Sequence, residues 1–161
     1  GSEMCIRDSL YTRRIIRWAA ALHEIGLFIS HTVYHKHSAY ILANADMPGF
    51  SRTDQIKLAL IVLAHRGNLK KITAELANSP LSSRITWYAI IALRLAATFC
   101  RARNGDALPP NTALSYDEKS KTLLLRLNGT WLKNNPLTES ALESEIDHWQ
   151  ATPYHLKVDR F

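Results

Sequence analysis

The chain has 161 residues, 47% hydrophobic and 21% charged, with a formal net charge of +6. That is enough apolar material for one ordinary domain, or one domain with a small appendage, and no covalent staple is required. Its two cysteines, Cys5 and Cys100, form no CxxC pair and no framework, which excludes a disulfide scaffold and fits a reducing, cytosolic setting.

The first nine residues, GSEMCIRDS, show no period and no signal-peptide apolar region, and they read as a leader or scar outside the fold. At Leu10 the pattern switches. Ile15, Trp18, Ala19 and Leu22 fall at helical spacing and predict a helix over 10–25, stopped at Gly26. A second helix is expected over 34–44, closed by the turn sequence DMPGF. Ser51 is an N-cap for a third helix, with Asp54 in its first turn, running to Gly67. A shorter helix covers 70–77. Ser82 or Ser83 then caps a long apolar helix reaching Arg103, with Gly105 past its end. The run Ile85–Phe99 is interrupted by Arg94 and falls short of the roughly 20 apolar residues of a membrane span, so a buried helix is expected.

Beyond GDALPPN the period changes. TALSY and TLLLRL are two β-type runs separated by DEKSK, a hairpin signal. Gly129 and Pro136 punctuate the exit, Thr138 or Ser140 caps an acidic helix to about Gln150, and YHLKV is a last strand. The chain is therefore expected to be mainly α: five or six helices over 10–108, then a small β-β-α-β unit over 109–161. The charge divides at nearly the same place. Residues 10–104 carry 13 Lys/Arg against 4 Asp/Glu, and residues 105–161 carry 6 against 8. A basic front facing an anion is one reading, and solvated helix faces are the other.

The chemistry concentrates in LHEIGLFISHTVYHKHSAYIL, Leu22–Leu42, which holds four of the seven histidines. His23-Glu24 follows an apolar helix, His37 sits near the head of the next, and His65 closes the third. This order resembles the HD-domain metal phosphohydrolases, in which imidazole and carboxylate ligands hold a divalent ion that activates water. By that resemblance His23, Glu24 and His65 are the candidate metal ligands of a degenerate site. Glu24 stands where the family has Asp, Ala97 stands where a carboxylate is expected, and no histidine precedes the pair between Leu10 and Leu22. An autonomous metal-dependent phosphohydrolase is thus an alternative rather than the leading reading.

A longer stretch, WAAALHEIGLFISHTVYHKHSAYILANADMPGFS, resembles the C-terminal region of bacterial exopolyphosphatase and guanosine pentaphosphate phosphohydrolase. There an HD-like helical domain and a small α+β domain follow two actin-like domains. The resemblance implies that the whole enzyme removes terminal phosphate from inorganic polyphosphate or pppGpp, using Mg2+ and a carboxylate of the actin-like half. This chain has 6 glycines and no Gly-rich phosphate loop, so it would be the non-catalytic part, with no catalytic residue and no cofactor of its own. It would contribute polyanion binding and assembly of a homodimer. The candidate phosphate-binding residues are His35, Lys36 and His37 at a helix start, and Arg66, Lys70 and Lys71 after the third helix. Arg101 and Arg103 read more simply as complements to a helix C-terminus. A nucleic-acid-binding domain ranks third, because the basic residues lack aromatic interleaving or a recognition-helix pattern.

Overall fold

A computed structural model describes residues 2–102 and 108–161, with side chains over 10–101 and 108–161. The expected helix end at Arg103, the stop at Gly105 and most of the GDALPPN linker lie outside the described residues. Two compact units interleave in sequence. The first comprises residues 1–67 and 76–95, the second residues 68–75 and 96–161.

The first unit contains α1 (Ser2–Leu22), α2 (Tyr34–Asn44), α3 (Arg52–Ala64) and the leading part of α5 (Arg84–Ala102). The backbone of α1 is already helical from Ser2, inside the stretch that shows no period, because no Gly or Pro between there and Leu10 stops a helix from propagating. At its other end α1 stops at Leu22, three residues earlier than its spacing suggests, and a 3-10 turn follows over Ile25–Phe28. The cause is local. The Gly26 N–H donates to Ser38 Oγ at 2.8 Å and the Ser38 hydroxyl donates to the His23 carbonyl at 2.7 Å. These backbone groups are therefore satisfied across to α2.

α2 occupies its expected span. Its N-cap, Val33, has φ 50° and ψ 34° and offers no side-chain cap. The α2–α3 hairpin turns at Gly49, whose φ of +89° suits glycine. It is locked by Gln55, a buried amide that donates to the carbonyls of Leu42 (2.8 Å) and Ala45 (2.7 Å), satisfying the end of α2. Ser51 caps α3 as its sequence suggests, accepting from the Asp54 N–H at 3.1 Å. Tyr11 of α1 donates to Asp54 Oδ1 at 2.6 Å and Lys57 donates to Tyr11 at 3.0 Å, tying α1 to α3. The core is aliphatic: Ile15, Leu42, Leu58, Ile61, Val62, Ile90 and Ile91 are all but fully buried. Ser83 caps α5, accepting from the Thr86 N–H at 3.3 Å.

The second unit contains α4 (Leu69–Leu76, all but its last residue), the end of α5, and the C-terminal sheet. Strands β1 (Ala113–Asp117) and β2 (Thr122–Leu127) pair antiparallel, with Leu114 opposite Leu125. The hairpin expected from DEKSK is present: Asp117 accepts from the Lys119 N–H and from the Ser120 hydroxyl. β3 (His155–Arg160) pairs parallel to β2, with Leu123 beside Leu156. The crossover carries two helices rather than one. The sequence marks Gly129 as a break, yet Asn128 accepts from the Trp131 N–H at 2.8 Å and starts α6 (Gly129–Lys133). The acidic helix α7 (Pro136–Trp149) begins before Thr138 or Ser140, because Pro136 is pre-set for a first helical turn. Leu123, Leu125, Leu127, Leu132, Leu142, Trp149 and Leu156 form this unit's core. Buried Glu145 accepts from the Trp149 indole N–H at 3.2 Å. Among the described residues no helix is long and apolar enough to cross a membrane.

Candidate functional site: a histidine and arginine cluster at the head of α2

Three chain segments of the first unit meet where α1 ends, α2 begins and α3 ends. Gly26 makes the meeting possible. A Cβ at that position would lie 2.3 Å from the Tyr34 carbonyl oxygen and 2.4 Å from the Ser38 nitrogen. Both are backbone atoms that cannot swing aside, so only glycine allows this approach. The Gly of HEIG and the Ser of HSAYIL thus serve as one clamp, and it holds His23-Glu24 beside the first turn of α2.

His65, the C-cap of α3, lies at the centre and is 2% exposed. Its Nδ1 is 2.5 Å from the Val62 carbonyl, which can only accept, so Nδ1 carries the proton. Its Nε2 is 3.3 Å from the Tyr34 hydroxyl and accepts from it. Burial lowers its pKa to about 4, with the neighbouring His23, His35 and Arg94 adding to the effect and the Val62 bond opposing it. His65 is therefore a neutral ring with a fixed tautomer. The His23 ring meets it edge-on at 5.1 Å between centroids, and the His35 ring at 6.3 Å.

Cations surround these rings. The Arg66 guanidinium lies over the Tyr34 ring at 5.2 Å from the centroid. Arg94, 2% exposed, reaches from α5 and donates to the Ala64 carbonyl at 2.8 Å, placing a positive charge at the negative end of α3. Burial, then Arg66, Lys36, Arg94 and His37, lower the pKa of His35. The Nδ1 of His35 is buried without a hydrogen-bond partner among the described residues. A Cβ on Gly67 would lie 3.9 Å from His35 Nε2, which places the His35 ring against the chain leaving α3.

Of the sequence-derived candidates, His23, His35, His65 and Arg66 come together here, with Lys36 and His37 on the adjoining turn of α2. Lys70 and Lys71 belong to the second unit, where both are exposed on α4. The donor set does not fit a metal ion as it stands. Both His65 nitrogens are in hydrogen bonds, and Glu24 lies 3.7 Å from His23 Nε2 on the exposed side, while the 2.7 Å contact of His23 Nδ1 with the Ala20 carbonyl leaves Nε2 as that ring's one open nitrogen. Among the described residues no group of three or more His, Cys, Asp or Glu side chains is arranged to hold one. Arg66, Lys36 and the imidazoles of His35 and His37 lie at a helix start that has no side-chain cap, where the Lys36 N–H donates to the Val33 carbonyl at 2.8 Å. Tyr34 and Arg94 were not among the sequence-derived candidates. An arginine inside IIALRLAAT is nevertheless a signal, because a fully buried arginine requires acceptors.

The family model described as Ppx/GppA phosphatase, domain III, matches residues 4–146. Three relatives share the name guanosine-5'-triphosphate,3'-diphosphate pyrophosphatase. The one from Pseudoalteromonas translucida is 40% identical over 128 residues, 78% of this chain and 24% of that protein. That from Vibrio cholerae is 34% identical over 159 residues, covering 99% and 31%. That from Vibrio atlanticus is 38% identical over 145 residues, covering 90% and 28%. The chain thus spans less than a third of the length of the curated relatives it matches.

Proposed function

The chain belongs to the Ppx/GppA phosphatase family, as its domain III, and from that premise we propose that it is the anion-holding, non-catalytic part of a phosphohydrolase. In the full-length protein, actin-like domains preceding this chain would carry the reaction, with Mg2+ bound there. The reaction is loss of the terminal phosphate from a polyphosphorylated substrate. The names of the relatives favour pppGpp over inorganic polyphosphate. The protein would act in the cytoplasm and as a homodimer.

The observation that supports this role is the cation group at the head of α2. Arg66 and Lys36 supply fixed charge beside His35, whose buried Nδ1 lacks a partner among the described residues. A guanidinium can fork onto one phosphate while a lysine follows the chain as a point charge. Such binding falls steeply with salt, because it releases counterions from the polyanion.

The test is direct binding of fluorescent pppGpp and of medium-chain polyphosphate to this chain across a salt series. Binding at low salt should weaken linearly on log–log axes. Lys36→Ala or Arg66→Ala should reduce the slope by roughly one each. No affinity for either ligand at low salt would overturn the anion-holding role.

A further inference from the structure

The segment between α1 and α2 exposes a row of large apolar side chains. Ile25 and Leu27 are 39% exposed, Ile29 56% and Val33 43%, while Phe28 is 99% exposed and touches almost nothing. Five such side chains stand exposed within nine residues of chain, a local concentration rather than single scattered hydrophobes.

Val33 provides an independent sign that the patch has a use. Its φ of 50° is in the left-handed region, which costs a β-branched residue on the order of 1–2 kcal/mol and which Gly or Asn adopts easily. Yet the side chain points outward. Packing within the chain leaves 43% of that side chain open, so part of what an apolar, β-branched residue could gain there is left for a contact from outside. Strain of this kind persists where a surface is held ready for a contact.

We propose that this patch is the docking surface for the polypeptide that precedes this domain in the full-length protein. The proposal rests on the reading above, that a catalytic half lies upstream. Between 78% and 99% of the chain aligns to 24–31% of each of these relatives, so more than two thirds of such a protein lies outside the aligned part. The patch also adjoins His35 and Lys36 in sequence. A body docked here would hold the reacting end of an anion next in the chain to residues that could hold the rest of it. A second copy fits less well. A stable dimer needs about 20–30 residues a side, whereas a tethered domain can use a small patch because the tether raises its effective concentration.

The experiment is photocrosslinking of the full-length protein with p-benzoylphenylalanine in place of Phe28, followed by peptide mapping. The expected result is a crosslink within one subunit, from position 28 to a peptide upstream of this domain. Hydrogen exchange over 25–33 should be roughly tenfold slower than in the domain alone. A crosslink to a second copy, or none with exchange unchanged, overturns the proposal. Phe28→Ser in the isolated domain should leave its melting temperature unmoved, because the side chain packs on nothing there. Hydrolysis of pppGpp by the same full-length protein tests the functional reading separately, so the two can fail independently.

Discussion

The Gly26 N–H and the Ser38 hydroxyl oxygen are 2.8 Å apart, and a Cβ on Gly26 would lie 2.7 Å from that same oxygen. Gly26→Ala therefore cannot be relieved by a side-chain rotation, because the backbone of Tyr34 and Ser38 is closer still. A loss of roughly 2–4 kcal/mol is expected, in the range of severe overpacking. Ser38→Ala removes a fully buried hydroxyl that both donates and accepts, and should cost about 1–3 kcal/mol. Urea unfolding of both variants checks this; an unchanged midpoint for Gly26→Ala would refute the clamp.

The neutral His65 makes stability depend on pH in a defined direction. Its folded pKa is about 4 and its ordinary value 6.5, so between those limits the unfolded chain binds more protons than the folded one. Stability is full above about pH 6.5 and is lost as pH falls towards 4, by about 3 kcal/mol from this group. His35 is shifted in the same direction and adds to the slope. The check is the urea midpoint between pH 7.5 and 4.5 for the wild type and for His65→Gln, whose curve should be flatter.

Much of the helical frame could be read from the sequence, because its signals are local. Ser51 and Asp54 announce α3, and the spacing of HSAYIL places α2. What could not be read depends on contacts between distant segments. α1 ends at Leu22 because Ser38, far along the chain, takes over its neighbours' hydrogen bonds. Asn128 starts α6 across a glycine that reads locally as a stop. The candidate site divides in the same way: the histidines were visible as residues, but the fixed tautomer of His65 requires Tyr34 and Val62 in place. Arg94 was visible only as an anomaly in an apolar run.

The depressed pKa of His35 carries a consequence for ligand binding. Burial and nearby cations hold its proton off in the free protein. An anion settling beside Arg66 and Lys36 would cancel that field, so His35 should take up a proton on binding. Affinity for pppGpp or polyphosphate is then expected to rise as pH falls. Calorimetry in buffers of different ionisation enthalpy measures the proton uptake directly, and His35→Gln should abolish it.

The strain at Val33 can be relieved. Val33→Asn puts a residue that tolerates the left-handed region, and also suits a helix N-cap, at the head of α2. The isolated domain should gain about 1 kcal/mol, seen as a higher melting temperature. A loss of stability instead would mean that the side chain is rewarded within the domain.

Tyr11 offers a spectroscopic check on the packing of α1 against α3. Burial and the bond to Asp54 raise its pKa to about 12. Its phenol should therefore stay protonated where an exposed tyrosine ionises, and the stability from this contact is lost only as pH rises from about 10 to 12. Difference absorbance near the phenolate band, compared with Tyr11→Phe, reports it.

The parallel pairing of β2 with β3 bears on the order of folding. Arg126 and Asp159 face each other across the pair at a sequence separation of 33, and the crossover between the strands must be closed before their ladder repays its entropy. The hairpin of β1 and β2 has no such delay. A nascent or refolding chain will therefore pass through a stage in which the far edge of Thr122–Leu127, with its run of three leucines, is open to any other strand in solution. Refolding yield should fall with protein concentration for this reason, and the vulnerability lies in the half of the sequence that carries none of the candidate anion chemistry at the head of α2.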